Sequence, residues 1–270
     1  MRTFPIYFLL ALFQVACGGN TTTEEAATDT EVASEEATSE ETASSITLTP
    51  MPETPDYPGA MITDMSYENG TFNFAIDGGE DGYELGGQTP DAEALMCANS
   101  VKGQHIHLIV DNEPYAAKYE ASFDYEIADG EHYILSFISL SYHESIKHEG
   151  ASRAVVGRVV GNSLQKSAPV TTPMLFYSRP KGTYVGKDTE NIMLDFYPVN
   201  AELGNGYQVQ VEVAGETFTV DTWQPYFLKG LGMGEHTVTL TLLDADGNPV
   251  EAPLNPVSRT ITLEEDKGDS

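Results

Sequence analysis

The segment Gly206-Tyr-Gln-Val-Gln-Val-Glu-Val-Ala-Gly-Glu-Thr-Phe218 alternates polar and apolar residues from Gln208 to Val213. A two-residue period belongs to a strand with one face covered. Earlier in the chain, Gly103-Gln-His-Ile-His-Leu-Ile-Val-Asp-Asn-Glu-Pro-Tyr115 repeats the same order of glycine, strand and turn. Two further echoes keep that order. Gly82-Tyr-Glu-Leu-Gly86 matches Gly182-Thr-Tyr-Val-Gly186, and Asp129-Gly-Glu-His-Tyr-Ile-Leu-Ser-Phe137 matches Met233-Gly-Glu-His-Thr-Val-Thr-Leu-Thr241. Echoes in register across a shift of about 100 residues indicate two copies of one fold, at 57–165 and 170–264. β-branched and aromatic residues dominate both copies, turn formers punctuate them, and no helical period emerges. The expected class is all-β, two tandem antiparallel β-sandwiches.

The phrase Gly234-Glu-His-Thr-Val-Thr-Leu-Thr-Leu-Leu-Asp-Ala-Asp-Gly-Asn248 resembles the F strand and following turn of bacterial immunoglobulin-like domains. On that resemblance the strands beginning near Gly103 and Gly206 are C strands, and those of His132 and His236 are F strands. Upstream, residues 1–16 carry one positive charge, Arg2, and then a short apolar run. This is a secretory signal pattern, too short to span a bilayer. Val15-Ala16-Cys17 resembles the bacterial lipobox, with Gln14 standing where an aliphatic residue is usual. The resemblance implies lipidation of Cys17, and hence a chain exported to the bacterial cell envelope and attached to a membrane. Residues 17–56 are rich in Thr, Ser, Ala and Glu and lack Lys and Arg, the composition of a disordered acidic linker. Residues 265–270 form an acidic tail.

With 42 acidic against 13 basic residues, the formal charge of −29 excludes an electrostatic nucleic-acid binder. If Cys17 is lipidated, Cys97 has no disulfide partner. Five of the six histidines lie between residues 105 and 148. His105 and His107, two apart on a strand, share a face. Ile106, Leu108 and Val110 take the other face and suit the core. Strand F lies antiparallel to C, so its end, which runs into Ser141-Tyr-His-Glu-Ser145, approaches the start of C. His143 and Glu144 then meet His105 and His107 on an outer face that also carries Tyr133, Leu135 and Phe137. The second copy has Gln208 and Gln210 there, and threonines on its F strand.

Three readings follow for this face. His105, His107 and His143, with Glu144, bind copper or zinc. Alternatively Tyr133, Phe137 and Tyr142 join the histidines in a surface that recognises a peptide, glycan or protein. Thirdly, the face packs against the second domain and is structural. His132 and His236 occupy equivalent corners and are expected to satisfy local backbone. His143-Glu-Ser-Ile-Lys-His148 is not a zinc-protease helix, because histidines five apart do not share a helical face. No nucleophile elbow or phosphate loop is present. Asp244-Ala-Asp-Gly-Asn-Pro249 reads as a turn, and Trp223 as a core residue. Arg179 and Lys181, within Tyr177-Ser-Arg-Pro-Lys-Gly-Thr-Tyr184, read as offsetting nearby acids.

Lys102-Gly-Gln-His-Ile-His-Leu-Ile-Val-Asp-Asn112 with Ser141-Tyr-His-Glu-Ser145 resembles a group of bacterial lipoproteins sometimes labelled phosphopeptide-binding proteins. The resemblance implies tandem immunoglobulin-like domains and phosphate-recognising arginines; the first domain offers only Arg153 and Arg158, on the expected G strand. The sequence therefore points to an exported, lipid-anchored, non-enzymatic binding protein, with copper or zinc as the first candidate ligand.

Overall fold

The computed structural model of the chain describes residues 45–268. Cys17 and the signal segment lie outside them. In the first part of the chain the strands are β1 (Thr47–Pro50), β2 (Met61–Glu68), β3 (Thr71–Asp77), β4 (His105–Val110), β5 (Ala116–Lys118), β6 (Ser122–Asp124), β7 (Gly130–Ser139), β8 (Ser152–Val160) and β9 (Ser163–Pro169). In the second they are β10 (Met174–Arg179), β11 (Gly182–Val185), β12 (Ile192–Val199), β13 (Tyr207–Val213), β14 (Glu216–Val220), β15 (Tyr226–Lys229), β16 (Gly234–Asp244) and β17 (Val257–Glu264). Among the described residues no helix is long and apolar enough to cross a membrane.

Each half is a sandwich of two sheets. The first pairs a β2-β3-β6 sheet with a β5-β4-β7-β8-β9 sheet. The second pairs β1-β15-β12-β10 with β11-β17-β16-β13-β14. The repeat is visible in the pairing: β4 runs antiparallel to β7, as β13 does to β16. Alternation explains which residues enter each core. Ile106, Leu108 and Val110 fill the first with Ile134 and Ile138, and Val209, Val211 and Val213 fill the second with Val238 and Leu240. Each fully buried aliphatic side chain contributes about 1.5–3 kcal/mol by leaving water.

The acidic linker ends earlier than its composition suggests. Residues 47–50 lie within the expected linker, 17–56, yet they form β1, which extends the second sandwich by pairing with β15 from Thr47↔Lys229 to Pro50↔Tyr226. Leu48 packs against the second core. The chain then continues into the first sandwich, so the second domain is built from both sides of the first in sequence. Ile46, Leu48 and Met51 are the apolar exceptions that make this docking favourable.

A third apolar cluster joins the two sandwiches. Ile109, Leu135 and Phe137 from β4 and β7 meet Met174 and Phe176 from β10 and Tyr197 from β12. The face carrying His105 and His107 is therefore covered by the second sandwich and is not an open surface. An apolar face of this kind must be buried, and the second domain supplies the cover. Polar contacts lock the interface. Asn112 accepts from Tyr177 N at 2.8 Å and donates to Leu175 O at 2.8 Å, completing the edge of β10 in the manner of a strand. Arg259 donates to the carbonyls of Ser178, Asn112 and Glu113 at 2.9 to 3.0 Å.

Candidate metal centre

His105 and His107 are placed by strand alternation, on the side of β4 opposite Ile106 and Leu108. Gly103 sets the start of that strand. Its φ is +83°, and a Cβ there would overlap the carbonyl oxygens of Gly86 and Gly87, so only glycine fits. The close approach lets Gly103 present its carbonyl to His105 Nδ1 at 2.8 Å. His143 comes from a tight turn after β7, closed by His143 N donating to Leu140 O at 2.9 Å. Reciprocal bonds between Ser141 and Thr89 pin that turn, at 2.9 and 3.2 Å. His143 has φ +74°. A left-handed backbone at a non-glycine residue costs roughly 1–3 kcal/mol and persists where the surroundings over-determine it.

The three imidazoles converge. His105 Nε2 lies 2.9 Å from His107 Nε2 and 2.9 Å from His143 Nδ1. All three ligand atoms fall within 4.8 Å of one another. The Gly103 carbonyl holds His105 as the Nδ1–H tautomer, which leaves its Nε2 lone pair facing the centre. Ser178 Oγ, 3.2 Å from His107 Nδ1, does the same for His107 when it accepts that ring's proton. Such outer partners orient metal-binding histidines. Ligand atoms around an ion with bonds of about 2.0 Å stand about 3.3 Å apart in a tetrahedron, so the two 2.9 Å pairs must open to admit one.

Burial keeps these rings neutral. His105 and His107 are 0% exposed, and His143 is half-buried. Desolvation pulls His105 down to about 4. His107 falls well below its usual value by burial and by its two histidine neighbours, and His143 by burial and the Arg179 guanidinium. At neutral pH all three therefore offer lone pairs.

The other expected site residues go elsewhere. Glu144 follows His143 around the turn and points away from the imidazoles. Its Oε1 accepts from Thr54 Oγ1 at 3.0 Å and pairs with Lys147 at 3.5 Å. Lys147 also pairs with the fully buried Asp195 at 3.0 Å, which ties the two sandwiches together. Burial raises Glu144 above the usual carboxylate range. Tyr133, Phe137 and Tyr142 do not form a recognition surface. Phe137 is buried against Tyr197 with ring centroids 5.4 Å apart, Tyr142 is buried in the first core, and Tyr133 packs on the inter-sandwich cluster. Cys97 is buried, and desolvation pushes its thiol up to about 11. The corner histidines behave alike: His132 Nε2 meets Ala128 O at 2.8 Å and His236 Nε2 meets Gly232 O at 2.6 Å. Trp223 donates to Phe196 O at 2.9 Å and packs between the second core and the inter-sandwich cluster.

Tyr115, Ser178, Arg179 and Lys181 border the cluster and were not assigned to it from sequence. Tyr115 stacks on His107 at 3.6 Å with the planes 8° apart. Arg179 is buried and donates to Tyr115 Oη at 2.9 Å and Tyr184 Oη at 2.8 Å. The basic pair does not offset acids: Arg179 meets phenols, and Lys181 donates to Tyr115 O at 2.6 Å while lying 3.7 Å from its ring centroid. Burial and Arg179 bring Lys181 down to about 8. The available signal was Ser178-Arg-Pro-Lys181, two basic residues in a stretch free of carboxylates from Tyr177 to Tyr184.

No family model and no curated protein matches the sequence. Among solved structures, the fibronectin(III)-like modules of Clostridium thermocellum CbhA are similar at 18% identity and TM-score 0.28, over 35% of this chain and 100% of theirs. The extracellular domain of a hybrid two component system from B. thetaiotaomicron is similar at 12% identity and TM-score 0.29, over 76% of this chain and 38% of that one. A Bacteroides ovatus SGBP-B from a mixed-linkage glucan utilization locus, in complex with a heptasaccharide, is similar at 8% identity and TM-score 0.22, over 82% and 71%. Likeness at this level says nothing about ligand or partner.

Proposed function

We propose that the chain is an exported, lipid-anchored, non-enzymatic binding protein that holds a copper or zinc ion through His105, His107 and His143. The observation that carries this is the meeting of three neutral imidazole nitrogens, two of them oriented from behind by Gly103 O and Ser178 Oγ. Imidazole donors suit copper and zinc. The site belongs to the first sandwich and is capped by the second, whose Ser178 stands behind His107, and His143 is its half-buried member. Cys17 supplies the lipid attachment, and the Thr/Ser/Glu-rich segment before β1 the spacer from the membrane.

The test is metal analysis of the full chain, purified without chelator or polyhistidine tag, followed by calorimetric titration with Cu²⁺ and Zn²⁺ near pH 7.5. Stoichiometric uptake that is lost in His105→Gln/His107→Gln supports the reading. Absence of uptake for both ions removes it.

A further inference from the structure

Two arginines and a tyrosine of the second sandwich carry buried donors that no group of the protein accepts. Arg179 ends β10 and Arg259 lies on β17; they are 5% and 7% exposed, and Tyr177 on β10 is 0% exposed. Arg179 directs Nη1 to Tyr115 Oη and Nη2 to Tyr184 Oη. Arg259 directs its two Nη groups to the carbonyls of Ser178, Asn112 and Glu113. Among the described residues, Arg179 Nε, Arg259 Nε and Tyr177 Oη have no hydrogen-bond partner. Buried donors of this kind are rare, because each loses its bond to water and gains nothing in return. The three belong to one neighbourhood. The Arg259 guanidinium carbon lies 4.4 Å from the Tyr177 ring centroid. Burial raises Tyr177 above the usual phenol range, and the guanidiniums of Arg259 and Arg179 both oppose that rise.

The two arginines also lack a counter-charge. Among the described residues no carboxylate pairs with either of them, or with Lys181 beside them. Asp195 stands opposite Arg179 in the β10–β12 register, yet its carboxylate accepts from Ser145 N and pairs with Lys147. Glu113 offers Arg259 its carbonyl and not its carboxylate. In a chain of formal charge −29 this is no shortage of acids. A guanidinium taken out of water without an opposite charge is strongly destabilising.

We propose that Tyr177 Oη, Arg179 Nε and Arg259 Nε hold one buried, chloride-sized monovalent anion at the side of the second sandwich that meets the first. One such ion accepts from all three donors and supplies the missing negative charge. Full burial selects its chemistry, since a halide sheds its hydration at less cost than a divalent oxyanion. The approach selects against polyanions too. Arg259 and Lys181 line a surface groove of about 690 Å³, but Asp111 and Glu113 line the same groove. None of the three donors belongs to the histidine cluster, so this site stands or falls independently of a metal.

Chloride is the probe, and a chelator is present throughout. The full chain is unfolded in urea at constant ionic strength while sodium chloride replaces sodium gluconate, whose anion is too large for a buried site. An anion that binds only the folded chain raises the midpoint with the logarithm of its concentration. The wild-type midpoint is expected to rise in this way, and bromide to act like chloride. Tyr177→Phe removes a hydroxyl that has no protein partner. In gluconate it should be as stable as the wild type or more so, while chloride should bind at least about tenfold more weakly, the loss of one hydrogen bond to a charged group. A midpoint indifferent to chloride overturns the proposal. A rise of equal size in Tyr177→Phe places the ion elsewhere and overturns it as well, and phosphate stabilising more than chloride refutes the monovalent assignment. Should Tyr177→Phe fail to fold, anomalous X-ray scattering from bromide in wild-type crystals decides: a bromide bonded to Tyr177 Oη and both Nε atoms supports the site, and none there overturns it.

Discussion

Acid should weaken this protein through its buried imidazoles, and by an amount the structure bounds. The unfolded chain binds a proton at His105 below about pH 6.5, whereas in the folded chain desolvation holds that proton off until about 4. His107 is depressed still more clearly, being wholly buried beside two other imidazoles. Between those limits the unfolded state carries more protons, so stability falls as pH drops. The full contribution is present above pH 6.5. One pH unit below it, each such histidine has cost about 1.4 kcal/mol. Other groups titrate too, Glu144 in the opposite sense, so the clean comparison is with His105→Gln/His107→Gln, which copies the side chains of the second repeat. Urea unfolding with a chelator present, at pH 7.5 and 5.5, gives the loss for each protein. The wild type should lose about 3 kcal/mol more than the double variant. Equal losses would mean that the two rings are hydrated or already protonated in the folded state, and the buried cluster would have to be abandoned.

Three other outcomes follow from the same packing. Asn112→Ala leaves Tyr177 N and Leu175 O unpaired inside the inter-sandwich contact, and should cost about 3 kcal/mol in chemical denaturation. Glu144→Gln should bind Zn²⁺ as tightly as the wild type in calorimetry, because Glu144 faces Thr54 and Lys147 and not the imidazoles. Removing residues 1–50 strips β1 from the edge of β15, so hydrogen exchange at Phe227 and Lys229 should accelerate relative to β12.

Alternation and repetition are local properties, and they carried a long way. Gln208 to Val213 revealed the strand period, and the displaced copy at Gly103 revealed two sandwiches. Antiparallel pairing of the His105 and Gly130 strands then followed, and with it the meeting of His105, His107 and His143. That pairing is seen as His105↔Ser139, which brings the turn after Ser139 alongside the start of the other strand. What a local pattern does not carry is the identity of whatever covers a face. Tyr133, Leu135 and Phe137 announced an apolar outer side, but only the docking of Met174, Phe176 and Tyr197 shows that the cover is the second sandwich. The direction of Glu144 was equally hidden, because Thr54, which donates to its carboxylate, stands 90 residues away in sequence. Tyr115 and Arg179 stand 64 residues apart and meet only because the two domains close on one another. The strand at Thr47–Pro50 was masked by its acidic surroundings, since its stability comes from an edge supplied by Tyr226–Lys229. Sequence thus set the strands and which side chains share a face, through steric alternation of the backbone. Long-range burial of apolar surface decided which faces close, and closure is what turned a row of histidines into a desolvated, charge-sensitive site.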